Sequence, residues 1–294
     1  MALIPQVYED AVVALGIEKN GKKVWIATGF IVARKNELEG YNTFLVTNKH
    51  VLNRFESLMV RFNISGKIEA RDFKVNLIKD GAALYSTHPN PDVDVACVLI
   101  NPNLLSEELG GLSAFDLNNM SLSWKEMIDN DVIEGTSVFS LGFPSGLVGV
   151  DTKSPLCRVG CIARNKEKIH GEGYLIDIQN FPGSSGSPVI NKIDINCLNG
   201  TKSFDRTMLI GILASYIPYK DTLISRQTGM DMQIVQENSG IAIAYTVDAI
   251  KDVVEIEFNR VKQLEKRVTP NTESPDIEDE NNESTNRAAN STTE

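Results

Sequence analysis

Residues 180–191 read N-F-P-G-S-S-G-S-P-V-I-N, and this stretch organises the interpretation of the whole chain. Ser185 lies two residues after Gly183 and directly before Gly186. Glycine lets the backbone turn sharply, so the amides of Gly183 and Ser185 can converge on one point. Two converging N–H groups are what the oxyanion of a tetrahedral intermediate needs. A Gly/Ser turn between two strands can have the same sequence, so partners elsewhere in the chain must decide.

A serine hydroxyl needs a base, usually histidine, and the base needs an orienting carboxylate. The chain has three histidines. His50 ends the apolar stretch F-L-V-T-N-K-H, His88 lies in the proline loop S-T-H-P-N-P-D, and His170 lies in the charged loop K-E-K-I-H-G-E-G. Asp94 is the candidate carboxylate, because it opens the apolar run V-A-C-V-L-I. An acid against a buried strand is costly unless a donor such as an imidazole N–H accepts its charge.

Three blocks, T-N-K-H-V, D-V-D-V-A and P-G-S-S-G-S-P, occur in that order and resemble the signature blocks of trypsin-like (chymotrypsin-fold) serine peptidases. The order His, Asp, Ser also resembles that family and differs from subtilisin-like enzymes. The resemblance implies that His50 is the general base and acid, Asp94 its orienter and Ser185 the nucleophile. It also implies that the amides of Gly183 and Ser185 form the oxyanion hole. Asp92 is the rival carboxylate, but only Asp94 is followed by Val-Ala as in the family pattern.

The same resemblance implies where the substrate side chain binds. Gln179 would lie at the floor of the primary pocket, Leu213 and Ala214 would line it, and Tyr216 would narrow its mouth. Glutamyl endopeptidases, which the serine block also resembles, place a histidine in the strand I-G-I-L-A-S-Y, and here there is none. Gln179 carries no charge, which disfavours cleavage after Lys or Arg. We therefore expect an uncharged, small apolar side chain before the scissile bond.

The residue before the nucleophile is Ser184, whereas digestive members of the family have an aspartate there that pairs with a freshly cut N-terminus. A neutral hydroxyl cannot form that ion pair. We therefore predict that no N-terminal cleavage is needed for activation.

Short apolar segments alternate with turn residues over most of the chain, which predicts an all-β fold. The resemblance implies two six-stranded antiparallel β-barrels within a peptidase domain at residues 1–267. We place the first barrel at 1–100, a connector with short helical turns at 101–133 and the second barrel at 134–246. Gly142-Phe143-Pro144 in the second barrel resembles the high-temperature-requirement proteases.

The last folded element is predicted to be a helix at residues 247–267. Thr246 can cap it, and an apolar stripe with helical spacing follows, made of Val247, Ile250, Val254, Phe258 and Val261. Residues 268–294 hold seven acids, one base and almost no large apolar side chain, which predicts a disordered acidic tail.

The composition of the 294 residues, 42% of them hydrophobic, allows a substantial core. The formal charge of −10 argues against nucleic acid or an anionic membrane as a partner, so a protein or peptide substrate is expected. The start M-A-L-I-P-Q has no secretory pattern, and four cysteines lack metal-ligand spacing. We expect a cytoplasmic protein with no cofactor and no metal.

Two hypotheses for function remain open. In the first, the chain is a serine endopeptidase that works through an acyl-enzyme. In the second, it is a peptidase-fold binding or sensor protein that is silent or becomes active only with a partner. The complete set of His50, Asp94 and Ser185 favours the first, because losing any one of them removes most of the catalytic rate.

Overall fold

The computed structural model describes residues 4–36, 40–193 and 204–268. The first lobe contains two short helices and nine strands, two of which form a small separate hairpin. Its elements in chain order are α1 (Gln6–Ala11), β1 (Val12–Lys19), β2 (Lys22–Lys35), β3 (Tyr41–Thr47), α2 (Lys49–Leu52), β4 (Ser57–Asn63), β5 (Ala70–Asn76), β6 (Ile78–Lys79), β7 (Ala82–Ala83), β8 (Ser86–Thr87) and β9 (Ala96–Ile100).

The strands of the first lobe form an antiparallel sheet in the order β5, β4, β1, β2, β3, β9, β8. Alternation of side chains builds its core: in β4, Leu58, Val60 and Phe62 are buried and the residues between them are not. Within the described residues the edge strands β5 and β8 do not pair with each other, so the hydrogen-bonded sheet is open rather than a closed six-stranded barrel. β8 has only two residues, and the C-terminal helix covers it through the hydrogen bond from Ser86 to Glu257.

A connector joins the lobes through two capped helices and one short strand. They are α3 (Pro102–Leu109), β10 (Phe115–Asp116) and α4 (Trp124–Asp129). Asn101 caps α3, and Ser123 with Glu126 forms a capping box on α4. β10 pairs in parallel with β2, so the connector runs back along the first lobe before it enters the second.

The second lobe is a closed six-stranded barrel. Its strands are β11 (Ser137–Gly142), β12 (Leu156–Ile169), β13 (Gly173–Asp177), β14 (Pro188–Asn191), β15 (Leu209–Ile224) and β16 (Asp231–Thr246). They close in the order β11, β12, β13, β16, β15, β14. β15 and β16 are each 16 residues long, and they continue as a hairpin past the barrel. The sequence analysis placed no strand at residues 217–239.

The last described element is α5 (Val247–Val268), which the structure places between the lobes. Val247, Ile250 and Val253 are fully buried and join the core cluster that also contains Phe30 from β2 and Ile212 from β15. The predicted cap is present, since the N–H of Ala249 lies 3.4 Å from Thr246 Oγ1. The all-β class with a C-terminal helix is therefore confirmed. The predicted disordered tail, apart from Val268, lies outside the described residues.

Candidate active site

His50 lies in α2, the single helical turn that follows β3, and it contacts Asp94 through two donors. Its ring Nδ1 is 2.5 Å from Asp94 Oδ2, and its backbone N–H donates to Asp94 Oδ1 over 2.9 Å. Because an ionised carboxylate can only accept, Nδ1 carries the proton in this pair. The other ring nitrogen, Nε2, is then a proton acceptor. The His50 side chain is 36% exposed and that of Asp94 is 23% exposed, so the pair lies at an accessible surface.

Asn48 and Tyr245 supply two of the hydrogen bonds that hold the loop that carries Asp94. Asn48 Nδ2 donates to the backbone carbonyl of Asp94 over 2.8 Å, and the hydroxyl of Tyr245 donates to the carbonyl of Asp92 over 2.6 Å. The side chain of Asp92 is exposed, so this rival carboxylate is not the one that contacts His50. The second anchor comes from β16, which means that the second lobe positions a loop of the first.

The turn around Ser185 depends on two glycines with positive φ. Gly183 has φ +96° and Gly186 has φ +88°, values that other residues rarely adopt. A Cβ on Gly183 would lie 2.4 Å from the Phe143 carbonyl oxygen, and a Cβ on Gly186 would lie 2.0 Å from the Thr28 carbonyl oxygen. Ser184 and Gly186 are buried while Ser185 is partly exposed, so the turn presents the Ser185 side chain at the surface.

Thr28 in β2 joins the two halves of the site. Its N–H donates to the Ser185 carbonyl over 2.9 Å, and its hydroxyl donates to the Gly183 carbonyl over 2.8 Å. The same hydroxyl accepts from the N–H of Phe143 over 3.0 Å. The carbonyl of Thr28 accepts from the hydroxyl of Thr47, three residues before His50, over 2.8 Å. Through Thr28, the segments that carry His50 and Ser185 meet at one junction between the lobes.

The Ser185 hydroxyl donates to the backbone carbonyl of Ala214 over 3.2 Å. Within the described ranges, no hydrogen bond joins it to His50. In the same part of the chain, the amides of Gly183 and Ser185 have no backbone acceptor. The site therefore combines an oriented histidine, two amides without a backbone acceptor and a serine hydroxyl turned toward β15.

The predicted substrate-binding residues are not all at the surface. Gln179 is exposed and its Nε2 lies 3.6 Å from where a Cβ on Gly240 would be. Tyr216 is 36% exposed, whereas Leu213 and Ala214 are buried at 1% and 3%. The Leu213 side chain packs in the core of the second barrel, so it does not line a surface pocket. Ala214 contributes its carbonyl to Ser185.

Several residues at the site were not identified from the sequence. Thr28, Thr47 and Asn48 are fully buried polar residues whose side chains hold the junction, and Tyr245 holds the Asp94 loop. Thr47 and Asn48 lie in the T-N-K-H-V block and Thr28 lies in a predicted strand, but the sequence does not show which contacts their side chains make. Arg158 lies over the ring of the exposed Phe181, 5.1 Å from its centroid, and Phe181 is two residues before Gly183 in the chain.

The other two histidines lie elsewhere. His88 is buried beside α5 with Nε2 3.6 Å from Asp252 Oδ2, and His170 occupies a turn with φ +52°. Ser184 is buried, and its hydroxyl has no hydrogen-bond partner among the described residues.

Three further observations concern thiols, metal ligands and membrane-spanning helices. Cys97, Cys157 and Cys161 are free thiols, and burial raises the pKa of Cys97 well above its ordinary value. Across residues 4–36, 40–193 and 204–268, no group of three or more His, Cys, Asp or Glu side chains can hold a metal ion. No helix in the same ranges is both long and apolar enough to cross a membrane, and the cytoplasmic location stays a prediction.

Comparison with known proteins gives one family and two similar structures. The family described as trypsin-like peptidase domain matches residues 27–194. The MamO protease domain from Magnetospirillum magneticum, in its apo form, is 15% identical with a TM-score of 0.46 over 83% of this chain and 95% of that chain. Catalytically active tobacco etch virus protease complexed with product is 13% identical with a TM-score of 0.43 over 82% and 74%. No curated protein sequence matches the chain.

Proposed function

Because the chain belongs to the trypsin-like peptidase domain family, we propose that it is a serine endopeptidase that hydrolyses peptide bonds through an acyl-enzyme on Ser185. The observation that carries this proposal is the double contact of the Asp94 carboxylate with His50, at 2.5 Å to the ring and 2.9 Å to the backbone N–H. A histidine held in this way keeps Nε2 free to accept a proton. That is the base a serine nucleophile requires.

The first half of the reaction begins with a rotation of the Ser185 side chain from the Ala214 carbonyl toward His50. His50 Nε2 takes the hydroxyl proton while Ser185 Oγ forms a bond to the substrate carbonyl carbon. The carbonyl electron pair moves to its oxygen, which accepts hydrogen bonds from the amides of Gly183 and Ser185. Asp94 stabilises the imidazolium that has formed, and its two contacts hold the ring in place.

The second half releases the two products. The C–N bond breaks as His50 gives its proton to the leaving nitrogen, and the acyl group stays on Ser185. A water molecule then attacks the acyl carbon and gives a proton to His50. When the ester bond breaks, His50 returns that proton to Ser185 Oγ, and the carboxylic acid product leaves. Every step uses side chains and amides of this chain, with no cofactor.

The substrate class is protein or peptide, as for the family. Gln179, which is exposed and carries no charge, is the residue on which we base a preference for an uncharged side chain before the scissile bond. A peptide-library profile dominated by Arg, Lys or Glu at that position contradicts this preference and leaves the reaction type untouched.

The test is covalent labelling with a fluorophosphonate probe, which reacts only with an activated serine. We expect the native protein to be labelled and the Ser185→Ala and His50→Ala variants to remain unlabelled. His170→Asn is the matched control, because it removes a histidine outside the site and asparagine tolerates the positive φ of that position. Equal labelling of native protein and His50→Ala contradicts the role of His50.

A second candidate function is favoured by one contact. The hydrogen bond from the Ser185 hydroxyl to the Ala214 carbonyl holds the nucleophile away from its base. A peptidase-fold protein in which this arrangement is fixed at rest binds polypeptides but cleaves them only after a partner turns the serine. A folded native protein that takes up no probe alone, but does so when a partner is added, supports this function over a constitutive endopeptidase.

A further inference from the structure

The hairpin of β15 and β16 extends well beyond the barrel. β14 flanks β15 only from Leu209 to Ile212, and β13 flanks β16 only from Ile241 to Tyr245. Beyond these limits the two strands pair with each other alone, without interruption from Pro218↔Asn238 to Leu223↔Gln233. We call residues 219–237 the hairpin arm. An isolated two-stranded hairpin is only marginally stable in water, so a projecting arm of this kind is expected to gain from a partner.

The arm and its base expose an unusual amount of apolar surface. Eight large apolar side chains between residues 216 and 234 are at least 36% exposed: Tyr216, Ile217, Tyr219, Leu223, Ile224, Met230, Met232 and Ile234. The strand register puts Tyr219, Asp221 and Leu223 on one face with Val235, and Lys220 and Thr222 on the other face with Ile234. The exposed apolar side chains lie on both faces of the arm, and those of Tyr219 and Leu223 share one face, where they can pack against a partner.

The two edges of the hairpin differ at the base. The β16 edge is covered there, because Gly240 accepts a hydrogen bond from the N–H of Ile178 and Asn238 donates to the carbonyl of Asn180. The β15 edge begins at Ala214, whose carbonyl points away from β16 to Ser185 Oγ. Over residues 215–224, no backbone group of the described chain pairs with that edge. The free edge of β15 therefore starts at the nucleophile.

A strand edge presents alternating N–H and C=O groups, and an extended polypeptide is the ligand that satisfies both. Pro218 has no N–H, so strand addition at the arm starts after it. From Ala214 to Leu223 an extended strand spans up to about 30 Å, which separates the arm from the bond that is cut. A partner reaching both points must be a long polypeptide. The charged residues of the arm nearly cancel, with two bases and three acids: Lys220, Arg226, Asp221, Asp231 and Glu237. The exposed apolar side chains, rather than charge, therefore determine which polypeptide binds.

We propose that the β15 edge of the hairpin arm binds a distant, extended and apolar segment of the polypeptide substrate as an added strand, with its side chains against Tyr219 and Leu223. The inference rests on the proposed function, because it assigns the occupant from the position of the arm on the same strand, β15, that contacts Ser185 through Ala214. It makes the arm a length-selective docking site: short peptides use only the site at Ser185, and long polypeptides use both.

The first test compares substrates of two lengths. The probes are a hexapeptide cleaved by the native protein and the same hexapeptide extended on either side by about twelve alternating Val and Thr residues, about 40 Å when extended. We expect Tyr219→Ser with Leu223→Ser to lower kcat/KM about tenfold for an extended peptide and to leave it unchanged for the hexapeptide, since two buried apolar contacts are lost. Lys220→Ser with Thr222→Ser, on the opposite face, is the matched control. An equal effect on both substrate lengths overturns the proposal.

The second test separates strand addition from a general apolar contact and works without turnover. Fluorescein-labelled extended peptide is titrated against Ser185→Ala, and binding is followed by anisotropy. N-methylation of alternate residues in the extension should weaken binding, because it removes backbone donors. No dependence on N-methylation overturns strand addition. If the native protein is not labelled by fluorophosphonate but arm-dependent binding persists, the proposed endopeptidase fails and the docking site stands. A dimer that the Tyr219 and Leu223 substitutions dissociate, with long-peptide binding unchanged, means that a second copy occupies the edge instead.

Discussion

The two halves of the candidate site are held in different ways. Both oxygens of Asp94 contact His50, at 2.5 and 2.9 Å, so the acid–base half is formed before any substrate arrives. The half that carries the proposed nucleophile Ser185, called the nucleophile half, has a backbone anchored by Thr28, but the Ser185 hydroxyl donates to the Ala214 carbonyl. Under the proposed function, this difference predicts that the Ser185 side chain must rotate toward His50 before catalysis.

Asp94→Asn should have the largest effect on turnover, because it disrupts the contacts between Asp94 and His50 that are already formed without substrate. The amide can donate to Nδ1, which favours the tautomer with the proton on Nε2 and leaves no base facing Ser185. In a triad of this kind the change lowers kcat by about 10⁴. The measurements are kcat for a cleaved peptide and the rate of fluorophosphonate labelling. Asp92→Asn is the matched control and should keep native turnover, since its side chain is exposed. Comparable losses in both variants contradict the assignment of Asp94.

The contacts of Lys153 form a second junction between the lobes. They predict that stability depends on pH, whereas activity should not depend on the titration of this residue. Lys153 is 2% exposed, its backbone pairs with Asn63 in β4, and its ammonium donates to the carbonyls of Glu9 and Asp10 at the end of α1. Burial lowers the pKa of Lys153 from 10.5 to about 8, although the nearby Asp10 and Glu9 charges oppose this. The unfolded chain therefore binds more protons between these two pH values.

It follows that the free energy of unfolding rises as pH increases from about 8 to 10.5, by about 3 kcal/mol for the Lys153 contribution. Below pH 8 both states are protonated and the contribution is constant. Urea unfolding across this range measures it, and Lys153→Met should remove that part of the slope because it has no proton to lose. An unchanged slope in Lys153→Met shows that the amine is not desolvated in the folded protein.

Thr28→Val tests the fixed backbone of the nucleophile half. The substitution keeps the shape but leaves the Gly183 carbonyl and the Phe143 N–H without their partner, at a cost of about 1–3 kcal/mol in stability. Turnover should fall about tenfold, because the turn at Gly183 also positions the amides for the oxyanion. The downfield NMR signal of the His50 Nδ1 proton should persist, whereas it disappears in Asp94→Asn. Thr28→Ser, which keeps the hydroxyl, should restore most of both properties.

The sequence predicts the candidate catalytic residues better than it predicts the structure that surrounds them. His50, Asp94 and Ser185 could be chosen because each is a reactive side chain at the end of an apolar strand or within a glycine turn. Thr28 could not, because a buried threonine that joins two lobes looks like any strand threonine until the lobes are docked. Closure of the first lobe depends on whether β5 and β8 pair, a long-range event with no local pattern.

The hairpin arm was missed for a related reason. Residues 217–239 contain Pro218, several charges and Gly229, which reads as a loop between two strands. The partial alternation in residues 219–223 and 231–235 is the signal that was available. On both faces of the arm most side chains are exposed. The alternation of buried and exposed positions that identifies a strand is therefore absent from this segment.

The smallest effect is expected for Ser184→Ala, next to the residue whose loss should abolish activity, Ser185. The Ser184 hydroxyl is buried without a partner in the described chain, so Ser184→Ala removes a group that stabilises nothing and should change the free energy of unfolding by less than about 0.5 kcal/mol. Ser185→Ala should abolish labelling, whereas Ser184→Ala should keep native turnover. This result also agrees with activation that needs no N-terminal cleavage, since a neutral side chain forms no ion pair with a new amine. A large loss of turnover in Ser184→Ala, with stability unchanged, means that the Ser184 hydroxyl helps to position the amides of Gly183 and Ser185. In that case the hydrogen bonds of Thr28 alone do not fix the backbone of the nucleophile half.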